Sequence, residues 1–254
     1  MNDLKFVALI PARYGSTRFP GKPLADIGGK TMIHRVYEQV KKAVETVYVA
    51  TDDQRIYDEV VRFGGKAIMT SINHKSGTDR CYEAYTKIGK QFDVVLNIQG
   101  DEPFIEPEQI ESLKKCFDYH GIDIATLVKP FSSGDIFDNL SASNTPKVVI
   151  NKNMEAMYFS RSVIPFNRGI DRNSWLSVHT YYKHIGMYAY RSEVLAEITQ
   201  LEQSPLELAE SLEQLRWLEN GYCIKVAINN HETIGIDTPE DLEKTRKYIQ
   251  RLKE

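Results

Sequence analysis

Residues Phe6–Ile10 (FVALI) form an apolar run with no polar alternation. A strand facing solvent on one side alternates, so this one needs cover on both faces, as in the parallel sheet of an α/β fold. Val47–Thr51 (VYVAT) and Val94–Ile98 (VVLNI) are runs of the same kind, and helical periodicity fills the intervals between them. Met32–Val44 carries Ile33, Val36, Tyr37, Val40 and Val44 at helical spacing. Asp53–Phe63 reads as a helix closed by Gly64-Gly65, with Lys66–Met69 as the next strand. Helices near Asp79–Ile88 and Glu106–Tyr119 and a strand at Asp123–Val128 continue the cadence. This βαβα order predicts a three-layer αβα sandwich around a mostly parallel, mixed sheet.

The second half breaks the rhythm. Residues 130–146 (PFSSGDIFDNLSASNTP) read as loop. Lys147–Ile150, Ala156–Ser160, Tyr182–Tyr190 and Ile224–Ile228 are strand-like, which points to an antiparallel excursion at about 130–190 or an edge extension of the sheet. Pro205–Glu219 has a single helical period, with Leu206, Leu212, Leu215 and Leu218 on one side and Glu210 and Glu213 sharing a face. Pro239–Leu252 reads as a closing helix with Thr238 as its cap. With no linker or repeat, 1–254 reads as one domain.

With 32 basic and 35 acidic residues, the chain has no field for general nucleic-acid binding, so basic residues near its start mark a local site. No apolar stretch nears the ~20 residues of a spanning helix, and MNDLKFVALIPAR lacks a signal-peptide layout, so membrane insertion is not expected. Cys81, Cys116 and Cys223 include no CxxC pair and fit a reducing compartment; Cys223, in an apolar run, is expected in the core.

Three stretches carry candidate chemistry. The loop after the first strand, which Pro11 is expected to end, holds Arg13, Arg18 and Lys22 between Gly15 and Gly21. It suits a polyanion without the P-loop spacing, although a solvated surface loop has the same composition. SGTDR at 76–80 fits either anion binding at a helix start or a plain cap with Thr78 as the capping residue. Asp101 in QGDEP and Asp237 in GIDTPED fit turns, and equally fit two carboxylates on a hard cation such as magnesium. Arg161 and His184 end apolar or aromatic stretches and, with Arg168 and Tyr188, suit an acidic, hydroxylated ligand.

Taken in order, IPARYGSTRFPGKPL, VATDD, MTS, HKSGTDR, NIQGDEP, KVV, YFSR, IPF, YKHIGMYAYR, SPLE, LEQLRWLENG and IDTPED span nearly the whole chain. Singly they are weak, but at these intervals the chain closely resembles the 3-deoxy-manno-octulosonate cytidylyltransferase (CMP-Kdo synthetase) family. The resemblance implies a nucleotide-diphospho-sugar transferase-like, Rossmann-like fold whose antiparallel excursion serves dimerisation. It implies cytidylyl transfer from CTP to the C2 hydroxyl of 3-deoxy-D-manno-octulosonate (Kdo), giving CMP-Kdo and pyrophosphate for lipopolysaccharide biosynthesis. Mg²⁺ as cofactor and a cytoplasmic homodimer are implied as well.

Carried over by position, the resemblance makes Arg13, Lys22, Asp101 and Asp237 the catalytic residues. The nucleotide falls to Pro11, Ala12, Arg13, Ser16, Lys22, Ser76, Gly77, Arg80, Gln99 and Asp101. The sugar acid falls to Gln99, Arg161, His184, Tyr188 and Glu213, with Arg161 as the fork for its carboxylate. Asp101 and Asp237 would hold magnesium. Two alternatives stay open: an acceptor such as 8-amino-Kdo or another 2-keto sugar acid, and a non-catalytic nucleotide-binding regulator on the same fold.

Overall fold

A computed structural model describes residues 4–15, 19–119, 121–132, 134–231, 235–236 and 238–253. The chain divides into two compact units, 1–111 with 232–254, and 112–231.

In the first unit β1 (Phe6–Ala12), β2 (Val47–Thr51), β3 (Ala67–Met69) and β4 (Val94–Asn97) lie in the order β3-β2-β1-β4, and every pairing is parallel. Val7, Ala8, Leu9 and Ile10 are fully buried, as the unalternated run requires. Helices α1 (Met32–Ala43), α2 (Gln54–Arg62) and α3 (Gly77–Ile88) pack on these strands. Met32, Ile33, Val36, Tyr37 and Val40 form the buried stripe of α1. Asp53 caps α2 by accepting the Arg55 N–H. The α/β class and the strand and helix order of this half are as expected.

One boundary differs. Pro11 does not end β1, which pairs with β2 as far as Ala12↔Thr51. The Leu9 carbonyl bonds the Ile98 N–H on the β4 side, so the missing donor of Pro11, two residues on, falls on that side. The β1–β4 register ends at Leu9↔Asn97, and the proline leaves no ladder bond unmade.

Helix α4 (Pro107–Lys115) spans the boundary between the units. In the second unit β5 (Ile124–Pro130) lies between β8 (Tyr182–Arg191), antiparallel to it, and β9 (Ile224–Ile228), parallel to it. Strand β6 (Lys147–Ile150) pairs antiparallel with both β7 (Ala156–Ser160) and β8. The sequence's strand-like second half thus forms a mixed sheet. A helix that the sequence reading missed, α5 (Phe137–Ser141), sits within 130–146. Its one buried side chain, Leu140, joins a cluster with Trp175 of α6 (Trp175–Val178) and with Tyr181, too little repetition to show as a period. Helix α7 (Ser192–Ile198) follows β8.

The long helix expected at Pro205–Glu219 is two: α8 (Pro205–Glu210) and α9 (Gln214–Glu219). Ser211 breaks it with φ 51, ψ 48, and the Leu212 N–H closes back on the Glu207 carbonyl at 3.3 Å. Glu210 and Glu213 therefore do not share a helical face. Glu210 accepts instead from Ser160 Oγ at 2.5 Å and from the Arg161 backbone N–H at 2.9 Å. Cys223 is exposed rather than in the core, because it sits in the turn ahead of β9, whereas Cys81 and Cys116 are buried. Helix α10 (Pro239–Lys253) closes the chain, with Thr238 Oγ1 accepting the Asp241 N–H at 3.2 Å. Among the described residues no helix is long and apolar enough to cross a membrane.

Candidate active site

The carboxyl ends of β1 and β4 open onto a cavity of about 290 Å³ in the first unit. Pro11, Ala12, Arg13, Lys22, Ser76, Gly77, Arg80, Gln99 and Asp101 all line it, so one site unites every expected nucleotide residue but Ser16. Ser16, Arg18 and Asp237 lie outside the described residues. Ile236, the neighbour of Asp237 in sequence, donates its N–H to the Asp101 carbonyl at 3.1 Å. Pro23, His74, Lys75 and Gly100 also line the cavity and were missed. HK directly precedes the SGTDR stretch and was the available signal for His74 and Lys75.

Local folding explains the convergence. Parallel pairing puts the ends of β1 and β4 at one edge, the usual ligand edge of such sheets. Gly100 allows their close approach, since a Cβ there would stand 2.9 Å from the Pro11 carbonyl oxygen. Gly21, at φ 73, turns the cationic loop back and donates its N–H to the Tyr14 carbonyl at 2.9 Å. The guanidinium carbon of Arg55 stands 3.3 Å from the centroid of the Tyr14 ring. Ser76, not Thr78, caps α3. Its hydroxyl accepts the Asp79 N–H at 3.0 Å, and the Asp79 carboxylate accepts the Ser76 N–H at 3.3 Å. The side chain of Thr78 is buried, and the positive end of α3 lies at the cavity.

Charge around the cavity is mostly positive. Lys22 Nζ contacts Asp101 Oδ2 at 2.7 Å. Arg80 is buried and committed, donating to Thr70 Oγ1 at 2.6 Å and Asp52 Oδ2 at 2.8 Å, so it contributes charge more than a mobile hand. Arg13 and Lys75 are exposed at the rim. Just behind Asp101, burial first and the Asp101 charge second push the Glu102 carboxyl up to about 8. Its Oε2 is buried without a hydrogen-bond partner among the described residues.

Asp101 offers one half-exposed carboxylate, and its Oδ2 already holds a cationic ammonium. Among the described residues no three His, Cys, Asp or Glu are grouped to hold a metal ion. Magnesium commonly takes one or two carboxylates and completes its shell with phosphate oxygens and water. A single hard oxygen donor beside a polyanion cavity fits that habit.

The second unit holds the residues expected at the sugar acid. The Arg161 guanidinium donates to the carbonyls of Glu210 at 2.6 Å, Ser143 at 2.9 Å and Ser211 at 3.2 Å. Among the described residues, two of its five N–H donors take no protein acceptor. Burial lowers the His184 pKa to about 3, and its ring meets Phe159 and Tyr188 at 5.0 and 5.4 Å between centroids. The Tyr188 phenol is raised well above its ordinary value, by burial first, then by the charges of Tyr190 and Glu213. Glu213 thus acts on the Tyr188 phenol, beside which the His184 ring lies, while Arg161 is built into a network around Glu210.

A family model for cytidylyltransferases matches residues 7–247. The chain is 66% identical over 247 residues to a 3-deoxy-manno-octulosonate cytidylyltransferase of Parabacteroides distasonis, covering 97% of this chain and 98% of the relative. A 3-deoxy-manno-octulosonate cytidylyltransferase of Bacteroides thetaiotaomicron is 65% identical, covering 97% and 99%. Among solved structures, that of CMP:2-keto-3-deoxy-manno-octonic acid synthetase complexed with CTP is 44% identical, with a TM-score of 0.89 over 98% of this chain and 99% of that one. Matches of this length and identity extend well beyond the cavity, and the chain belongs to the 3-deoxy-manno-octulosonate cytidylyltransferases of the cytidylyltransferase family.

Proposed function

We infer that the protein transfers the cytidylyl group of CTP to the anomeric hydroxyl of Kdo, releasing pyrophosphate. In the cell this supplies activated Kdo for lipopolysaccharide. The observation that carries the reading is the cationic cavity of β1, α3 and β4, which gathers the expected nucleotide residues around Asp101. Its overall likeness to the CTP-complexed synthetase supports CTP as the occupant.

The anomeric hydroxyl attacks the α-phosphorus and gives up its proton to water, a P–O bond forms, and the bond to the bridging oxygen breaks, its electron pair leaving on pyrophosphate. Such a transfer needs positioning and charge neutralisation more than a covalent intermediate. Arg13 and Lys22 oppose the charge of the triphosphate and stabilise what builds on the leaving pyrophosphate. The backbone at Pro11, Ala12, Ser76 and Gly77 shapes the cavity, and Gln99 lies beside Asp101 at its edge. Asp101, with Asp237, would hold Mg²⁺, which when bound neutralises phosphate charge and orients the reacting oxygens.

For the acceptor, Tyr188, His184 and Glu213 supply polar groups in an aromatic setting, and Arg161 keeps two N–H donors for a carboxylate. The protein acts in the cytoplasm as a homodimer and forms one nucleotidyltransferase domain with an excursion at about 130–190. Supporting the dimer, the excursion exposes Ile136, Phe166 and Val178.

Pyrophosphate release with CTP and Mg²⁺, assayed against Kdo, 8-amino-Kdo and sialic acid, tests the reading. Turnover with Kdo is expected to lead. A preference for another sugar acid overturns the choice of acceptor, and silence with all three leaves only a nucleotide binder.

A further inference from the structure

Strands β5 and β8 pair from Ile124↔Tyr190 to Thr126↔Tyr188 and resume at Leu127↔Ile185, so Gly186 and Met187 bulge out of register. Four residues along an unbroken strand are about 13 Å apart. Here the rings of His184 and Tyr188 are 5.4 Å apart, because the bulge folds the strand between them.

The Thr126 hydroxyl fills that bulge. Thr126 is fully buried, and its Oγ1 lies 2.8 Å from the Met187 carbonyl, 3.4 Å from the Ile185 carbonyl and 2.9 Å from His184 Nε2. A carbonyl only accepts, so the single hydroxyl proton points to Met187. An oxygen lone pair then faces Nε2, and Nε2 must donate. A neutral imidazole that carries its proton on Nε2 has a lone pair on Nδ1. No described protein group bonds Nδ1, and the largely enclosed His184 side chain keeps some solvent exposure.

We propose that Thr126 is a positioning residue that locks His184 as the Nε2–H tautomer, so that Nδ1 accepts a hydrogen bond from a hydroxyl of the sugar acid. The inference rests on the reading that the sugar acid binds beside His184 and Tyr188. It gives His184 a direction: the imidazole selects a donor on the substrate and repels a carboxylate. An acceptor analogue that lacks the hydroxyl leaves Nδ1 unpaired, the kind of mismatch that discriminates strongly.

The test uses the full-length chain labelled with ¹⁵N at histidine, read by long-range ¹H–¹⁵N spectra, together with steady-state kinetics. The expected wild-type spectrum shows His184 protonated at Nε2, with the Nδ1 resonance moving when Kdo is added. Thr126→Val keeps the side-chain shape, removes the hydroxyl and loses the tautomer preference. It raises the KM for Kdo roughly three- to tenfold, the size of one hydrogen bond, with the KM for CTP unchanged. Thr126→Ser, which keeps the hydroxyl, restores both.

A proton on Nδ1 in the wild type overturns the lock. An Nδ1 resonance indifferent to Kdo, in an enzyme that turns over CTP and Kdo, overturns the inference and leaves cytidylyl transfer standing. Absence of turnover alongside an Nδ1 response to Kdo supports the inference and overturns the transfer.

Discussion

The ammonium of Lys22 stands 2.7 Å from Oδ2 of Asp101, so a cation expected at the phosphates and a carboxylate expected at the metal hold each other. The pair is partly exposed, with side-chain exposures of 13% and 32%, and water screens its attraction enough for a triphosphate to compete for the lysine. The contact keeps both groups aimed at one place.

Asp101→Asn separates the two roles. Loss of the carboxylate is expected to lower kcat about 100- to 1,000-fold, the usual cost of removing one electrostatic element of a transition state. Without Mg²⁺, CTP is expected to bind a few-fold more tightly, because the competing anion at Lys22 is gone. Calorimetry and steady-state rates read the two effects separately, and full turnover at saturating Mg²⁺ defeats the assignment.

Gly100→Ala tests the close approach of β4's end to β1. The added methyl stands 2.9 Å from the Pro11 carbonyl oxygen, on backbone that pairing with β2 holds in place. Overpacking of this kind costs about 1–3 kcal/mol, and the displaced edge should also weaken CTP binding. Thermal denaturation and nucleotide titration check both, and an unaltered midpoint shows that the strand end yields.

The sheet of the first unit was legible because each strand is an unalternated apolar run and each helix has a clean stripe, as Val7–Ile10 and Met32–Val40 illustrate. The nucleotide cavity was legible because its residues lie in short stretches at strand ends, where parallel pairing brings them to one edge. Less local features were hidden. The break at Ser211 depends on Glu210 leaving the helix surface for Ser160 and Arg161, about 50 positions away in sequence. Arg161 reads as a free fork until the three carbonyls it holds are seen. The bulge that unites His184 and Tyr188 leaves no trace in YKHIGMYAYR beyond Gly186.

Arg161→Lys exposes the double duty of that arginine. A lysine cannot span the carbonyls of Glu210, Ser143 and Ser211, so the midpoint of unfolding should fall by several degrees, at about 1–2 kcal/mol of lost hydrogen bonding. The KM for the sugar acid should rise at the same time, since a point charge replaces a fork. A stable variant with an altered KM for CTP alone rules out both roles.

Glu207 and Arg216 form a buried two-point pair, with both N–O distances 2.7 Å, that ties α8 to α9. Burial pushes the Glu207 carboxyl up, and the Arg216 fork together with hydrogen bonds from Gln203 and the Ser204 N–H more than offsets it, leaving its pKa below the ordinary value. Arg216→Met strands a buried carboxylate and is expected to cost about 3–5 kcal/mol. Adding Glu207→Leu should recover much of that loss in chemical denaturation, because an apolar pair leaves no orphaned charge. A double variant no better than the single one shows that two other bonds dominate instead: Arg216 to the Leu201 carbonyl at 2.9 Å, and the Glu207 N–H to the capping Ser204 Oγ at 3.3 Å.

His184 sets an acid limit on stability. Burial holds its folded pKa at about 3, against an ordinary value of 6.5, so the folded chain binds fewer protons than the unfolded one between those values. Its neutral imidazole therefore contributes stability that is fully present above pH 6.5 and declines as pH falls toward 3. Denaturation midpoints followed from pH 7 to pH 4 should fall more steeply in the wild type than in His184→Gln, which places no titrating group between Phe159 and Tyr188. Parallel slopes in the two proteins mean that the imidazole protonates without unfolding, and its enclosure is then too loose to hold one tautomer.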